Sequence, residues 1–170
     1  MANGKLITGG VRDHKVYVFK DTDNQTLASA VSATPYACQT RDCNWEMTTV
    51  DGQVYGAQLF GGYFAKFAGD GSFTSIANLQ SLGVFGYLGM WGNSTTGKLV
   101  ATSSKGLVEI DPVLGSHRVI NAGAFGDGVS VSPDGKVVYL ADGNISAYDI
   151  ASGALLNTFS GQGAARTVPG

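Results

Sequence analysis

The stretch from Gly126 to Gly161, GDGVSVSPDGKVVYLADGNISAYDIASGALLNTFSG, contains four short runs in which apolar residues alternate with polar or small ones. Alternation with a period of two, in runs rich in β-branched and aromatic residues, predicts strands rather than a helix. The runs are separated by Ser132–Gly135, Asp142–Asn144 and Ala151–Gly153, whose Pro, Gly and Asn residues favour tight turns. The stretch therefore predicts a four-stranded antiparallel meander of roughly 35 residues, close to the length of a propeller blade.

The rest of the chain contains weaker copies of this unit, with a period of about 40 residues. We therefore expect a single all-β domain with a β-propeller-like fold of about four four-stranded antiparallel blades. The expected blades cover residues 4–31, 45–77, 84–120 and 126–160.

The first segment matches the unit only from its second strand onward, with its third strand expected at Thr26–Val31. Its innermost strand is therefore missing. The C-terminal residues 164–170 contain a strand-like run, Arg166–Val168, which we expect to complete this blade by pairing with Lys5–Ile7. The pairing would remove an exposed strand edge, which is otherwise an aggregation hazard.

The same tail leaves two routes of ring closure open. It can close a four-bladed ring within one chain, or it can pair with a neighbouring chain and build a ring of about eight blades from two copies. The single-chain ring is favoured because joining ends within one chain costs no association entropy. The expected state is a monomer or a homodimer that completes a ring.

The composition argues against two classes of partner. Charged residues make up 14% of the chain, below the usual quarter, and the net charge is -2. This balance offers no basic footprint for nucleic acid and no polybasic signal for a membrane surface. No apolar run approaches the roughly 20 residues that span a bilayer. We expect neither nucleic acid nor a membrane as a partner.

The 25 glycines are scattered along the chain, which suits the turns of a many-stranded fold.

The runs Gly128–Ala141 and Ile145–Ile150 resemble the repeats of YVTN/NHL-type β-propeller proteins. That group consists of secreted or periplasmic repeat proteins of bacteria and archaea. The resemblance implies a propeller fold and an extracellular or periplasmic location. Members include lactonases, lyases, quinoprotein subunits and surface-layer proteins, so the motif specifies a blade and leaves the chemistry open.

The sequence contains no motif that specifies a catalytic reaction. A G-x-S-x-G elbow, an HExxH helix and a phosphate-binding loop are all missing from it. A metal site of the lactonase kind would need Glu, Asn and Asp to converge at the mouth of the channel. The candidates are Glu46, Asn93 and Asp127, although their spacing does not select them. Acidic turns faintly resemble calcium loops but lack the spaced ligands. We expect no cofactor, with calcium as the alternative.

Three aromatic residues on predicted inner strands are the candidate ligand-binding residues. Trp45, Tyr87 and Trp91 could line a channel and stack on a ligand such as a sugar. The alternative is that they pack between blades. We therefore interpret the chain as a non-catalytic binding or scaffold module for a small-molecule, glycan or protein ligand. The alternative is a propeller enzyme of lactonase or lyase type, with a polar or metal site at the channel mouth.

The two cysteines, Cys38 and Cys43, are close together in a polar loop before Trp45. A local disulfide is expected if the protein is exported, because exported proteins meet an oxidising environment. Two free thiols and a metal site are the alternatives.

Overall fold

The computed structural model describes residues 5–9, 15–20, 32–35, 45–58, 64–76 and 89–160. These residues form fifteen strands and no helix, which confirms the all-β class. The strands make four antiparallel sheets, each formed by strands that are consecutive in the chain. We number the sheets in chain order.

Each sheet is a meander. The first sheet contains β1 (Lys5–Gly9), β2 (Lys15–Lys20) and β3 (Ser32–Pro35). The second contains β4 (Trp45–Val50), β5 (Gln53–Gln58), β6 (Phe64–Phe67) and β7 (Phe73–Ser75). The third contains β8 (Met90–Asn93), β9 (Lys98–Ser103), β10 (Gly106–Asp111) and β11 (Ser116–Asn121). The fourth contains β12 (Gly128–Val131), β13 (Val137–Asp142), β14 (Asn144–Asp149) and β15 (Leu155–Phe159).

The first sheet contains a strand that the sequence did not predict. β3 begins at Ser32, within a segment assigned to a loop, and it pairs with β2 through Val18 and Ser32. The assignment of Ser32–Pro35 to a loop was therefore wrong, because these residues pair with β2 in an antiparallel ladder. The expected strand at Thr26–Val31 and the expected C-terminal strand lie outside the described residues.

Consecutive sheets pack face to face, and an apolar core lies between each pair. Side chains alternate between the two faces of a strand, so a sheet with neighbours on both sides buries both faces. Between the first and second sheets the core contains Ile7, Val16, Val18, Trp45, Val54, Ala65 and Phe67. Between the second and third it contains Val50, Tyr55, Ala57, Phe64, Met90, Leu99, Ala101, Val108 and Ile110. Between the third and fourth it contains Val100, Leu107, Ile120, Ala124, Val138, Leu140 and Ile150.

The first strands of the second, third and fourth sheets lie side by side. Glycine permits this close approach. A Cβ on Gly92 would overlap the carbonyl oxygen of Thr49, and a Cβ on Gly89 would lie 2.9 Å from the carbonyl oxygen of Asp127. The Gly92 N–H also donates a hydrogen bond to the Thr48 hydroxyl across 3.1 Å.

The turns that follow β4, β8 and β12 meet at one end of the sheets, which we call the turn end. The Asn93 side chain donates a hydrogen bond to the carbonyl oxygen of Gly135 across 2.9 Å, which ties the turn after β8 to the turn after β12. The Asp51 carboxylate lies close to Gly97, which brings the turn after β4 to the same end. The three first strands therefore run in the same direction.

Candidate functional site

The Trp45 ring lies in the core between the first and second sheets. It is 9% exposed. Its ring centroid is 5.1 Å from that of Phe67 in an edge-on arrangement and 5.6 Å from that of Phe73. A Cβ on Gly9 or Gly56 would come within 3.2 Å of it, so both glycines leave room for the indole. This environment favours the packing role that the sequence left open for Trp45.

Trp91 has the opposite environment. It is 46% exposed, although it lies on β8 among buried strands. Trp91 pairs with Val100 in the β8–β9 ladder, and opposed residues share a face, so the indole lies on the side of the fourth sheet. A half-exposed indole retains a free surface on which a ligand can stack. The third aromatic candidate, Tyr87, lies outside the described residues.

Asn93 is a structural residue of the turn end. Its side chain is 2% exposed, donates to Gly135 and accepts a hydrogen bond from the Thr95 N–H across 3.2 Å. Its carbonyl oxygen accepts from the N–H groups of Thr96 and Gly97. The amide therefore holds two turns together, and this role accounts for its burial without a metal.

The other two candidate metal ligands lie at the end opposite Asn93. Gly92 approaches Thr49, so Glu46 and Asn93 are separated by about 13 Å along the strands, at roughly 3.3 Å per residue. Asp127 is exposed and lies beside Gly89, at the same end as Glu46. Desolvation by burial raises the pKa of Glu46 above its usual value. The structure therefore does not bring Glu46, Asn93 and Asp127 together.

A cleft of about 480 Å³ opens between the third and fourth sheets at the turn end. Its volume falls within the range of small-molecule sites, roughly 300–1,000 Å³. Both sides contribute charged residues to its lining. The lining residues are Thr96, Lys98, Glu109 and Arg118 from the third sheet and Gly135, Lys136, Asp149, Ile150 and Ala151 from the fourth.

A buried carboxylate organises the floor of this cleft. Glu109 is 6% exposed and accepts from Arg118 Nε at 2.7 Å and from Lys98 Nζ at 3.4 Å. Arg118 also donates from Nη2 to the carbonyl oxygen of Ile150 across 2.8 Å, so one guanidinium joins the two sheets. A buried charge needs such partners because desolvation alone would strongly disfavour it. The Glu109 charge is thus balanced inside the protein.

The rim of the cleft carries an excess of positive charge. Three cationic side chains, Lys98, Arg118 and Lys136, line it against two carboxylates, Glu109 and Asp149. Glu109 is engaged by two of the cations. Asp149 accepts hydrogen bonds from the N–H and hydroxyl groups of Ser152 within its own turn. Lys136 is exposed at the rim. The cleft therefore offers N–H donors to a negatively charged group.

Sequence reasoning missed this cleft, although part of the signal was present. The turn after Asp111 predicts that Ser116 pairs with it, which sets Glu109 opposite Arg118 in the β10–β11 ladder. Opposite charges at paired positions of neighbouring strands stabilise a sheet. The approach of the fourth sheet, which closes the cleft, had no comparable signal.

Two other expectations have limited structural counterparts. Cys38 and Cys43 lie outside the described residues, so their disulfide stays a prediction. In the part of the chain that the structure describes, no three His, Cys, Asp or Glu side chains cluster as metal ligands would. Across the same residues, no helix has the length and apolarity to cross a bilayer.

Comparison with known proteins gives no assignment. No protein-family model matches the chain, and no curated protein matches it.

Two turn carboxylates make the stability depend on pH. Hydrogen bonds from Ser132 and Ser152 lower the pKa values of Asp134 and Asp149, respectively, below the ordinary 3.8. A lowered pKa adds stability that is fully present above the unfolded-state value and is lost as the pH falls through the folded-state value. Asp134→Asn with Asp149→Asn should therefore destabilise the protein at pH 7 and have less effect at pH 2. Urea unfolding midpoints at both pH values measure this difference.

The matched control for that experiment is Asp142→Asn, which removes an exposed carboxylate at the end of β13. Its effect on the urea midpoint should be smaller than that of the double variant at pH 7. An equal loss of stability at pH 7 and pH 2 in the double variant would contradict the role of these two charges.

Proposed function

We propose that the chain is a β-propeller-type binding or scaffold module of the kind found in YVTN/NHL-type repeat proteins. Three features support the propeller interpretation. The sheets are meanders in chain order, the first strands of three of them lie side by side, and a core separates each consecutive pair. Blades that pack in this way present their turns as a continuous surface, which suits binding.

We further propose that the ligand-binding site is the cleft between the third and fourth sheets. The single observation that carries this proposal is the cationic rim, with Lys136 exposed beside the paired Glu109 and Arg118. A ligand carboxylate accepts charge-assisted hydrogen bonds from such groups. Thr96 and backbone groups of the lining turns would form hydrogen bonds with the hydroxyl groups of a sugar. The ligand class is therefore an acidic glycan, bound without chemical change.

The test is a titration of the protein with oligogalacturonate by isothermal calorimetry, with maltohexaose as the neutral comparison. Lys136→Gln should weaken oligogalacturonate binding roughly 5-fold, because an exposed ion pair contributes up to about 1 kcal/mol. Raising the salt from 50 to 500 mM should weaken binding as well, since salt screens exposed charges.

Lys66→Gln is the matched control, because Lys66 is an exposed lysine on β6 that does not line this cleft. It should leave the affinity unchanged. Equal affinity for maltohexaose and oligogalacturonate, or equal effects of the two lysine variants, would contradict an acidic ligand in this cleft.

A further inference from the structure

Equivalent positions on the four sheets show which faces the stack leaves open. On the second strand of each meander, the residue facing the following sheet is Tyr55 in the second sheet and Val100 in the third. Both are buried under the next sheet. The ladder register assigns the same position to Tyr139 in the fourth sheet. Tyr139 is 37% exposed, so no further sheet among the described residues covers this face of the fourth sheet.

Other apolar residues on this outer face of the fourth sheet are exposed as well. Opposed residues share a face, so Ile145 and Phe159 lie on the same side as Tyr139. The counterpart of Ile145 in the third sheet, Leu107, is buried in the core with the fourth sheet. Leu107 pairs with Asn121, at the position where the fourth sheet has Phe159. Phe159 is 50% exposed and Ile145 is partly exposed. The fourth sheet thus exposes apolar residues on the face that corresponds to the buried face of the third sheet.

The first sheet has the complementary open face. β1 pairs with β2 in the same register as β5 with β6 and β9 with β10. Leu6 of β1 therefore corresponds to Val54 and Leu99, which are buried against the preceding sheet. Leu6 is 38% exposed, and Thr8 on the same face is exposed as well. Tyr17 and Phe19 of β2 share this face and are buried, so its open part lies along β1.

We propose that the outer face of the fourth sheet docks onto β1 of the first sheet in a second copy of this chain. This contact would continue the series of interfaces between sheets inside the chain. We call the face of a sheet that packs against the next sheet in the chain its forward face, and the opposite face its backward face. Each interface inside the chain joins the forward face of one sheet to the backward face of the next. The open face of the fourth sheet is a forward face, and the open face of the first sheet is a backward face. Contact between two fourth sheets would pair two forward faces, an arrangement that no internal interface of the described residues uses.

Two copies joined in this way close a ring of eight sheets. A contact between two different surfaces either closes into a ring or propagates into a filament. Two identical contacts related by a two-fold axis use every open face in the pair, and eight blades lie within the usual range of propellers. The single-chain ring that the sequence favoured stays a prediction, because the C-terminal tail that would close it lies outside the described residues. This proposal does not depend on the ligand cleft.

The test is the mass in solution, measured by sedimentation velocity and light scattering over a hundredfold range of concentration. The wild-type chain should be a dimer. Tyr139→Glu on the fourth sheet and Leu6→Glu on the first should each give monomers, since a charge in an apolar contact opposes association. Thr8→Glu is a second variant of the first sheet, at an exposed position where the fold tolerates a charge. Val113→Glu, in the exposed turn after β10, is the control and should remain a dimer.

An equimolar mixture of the Tyr139→Glu and Leu6→Glu variants separates the geometries. Each variant keeps one intact face, so the mixture should form a mixed dimer through one contact, weaker than the wild type. Circular dichroism of each variant checks that it is folded. A monomeric wild type, a Leu6→Glu or Thr8→Glu protein that stays fully dimeric, or a mass that grows beyond two copies would each overturn the proposal.

Discussion

Trp45→Ala is expected to lower the free energy of unfolding by about 3–5 kcal/mol, the usual loss when a buried large aromatic side chain is removed. The indole fills the space between Gly9 and Gly56 and contacts Phe67 and Phe73. Removing it leaves a cavity in the core between the first and second sheets, which the strands on either side cannot fill. Equilibrium unfolding in urea, followed by circular dichroism, measures the loss.

Trp91→Ala is the matched comparison, with the same chemical change on the neighbouring first strand. Since about half of the Trp91 side chain is exposed, the loss should stay below about 1.5 kcal/mol. If the indole also stacks on a ligand, this variant should bind more weakly while its unfolding curve changes little. A larger loss of stability for Trp91→Ala than for Trp45→Ala would contradict the assignment of the two rings.

Gly92→Ala should be nearly as damaging as the loss of Trp45, at about 3 kcal/mol, the upper end of the range for over-packing. The added methyl group would overlap the carbonyl oxygen of Thr49. Backbone atoms of a neighbouring strand cannot move aside as a flexible side chain can. β4 and β8 must separate, and the hydrogen bond from Gly92 N–H to Thr48 would weaken. Thermal unfolding measures the shift.

Gly123→Ala is the control for this glycine. A Cβ there would meet only the Asn121 side-chain oxygen at 3.6 Å, an ordinary contact distance. The expected change is within about 0.5 kcal/mol. Similar losses for the two variants would show that close approach of β8 to β4 is not what requires glycine at position 92.

The sequence predicted the fourth sheet well because its signals are local. The turn at Pro133–Gly135 needs a residue with positive φ, and Gly135 supplies it with a φ of 73°. Alternation along β13 places Val138 and Leu140 on one face, and both lie in the core with the third sheet. Residues that are neighbours in the sequence determine turns and strand faces of this kind.

Features that depend on contacts between sheets could not be predicted in the same way. Trp45 and Trp91 lie on similar strands with similar neighbours, yet one ring is buried and the other is half exposed. The difference arises from which sheet faces each ring. The cleft beside Glu109 likewise needs Ile150 from the next sheet to accept a hydrogen bond from Arg118. Alternation within one strand contains no information on such partners.

The division of the interior into three separate cores has a consequence for how the chain folds. Each core is shared only by sheets that are neighbours in sequence, so most contacts join residues within about two repeats. Stability in such an array is close to a sum of the individual units and the contacts between adjacent ones. A sheet can therefore fold onto its predecessor as soon as both have been synthesised, without waiting for the C-terminal half. Amide hydrogen exchange in the monomeric Tyr139→Glu variant should accordingly be slowest in the two middle sheets, which pack against a neighbouring sheet on each face.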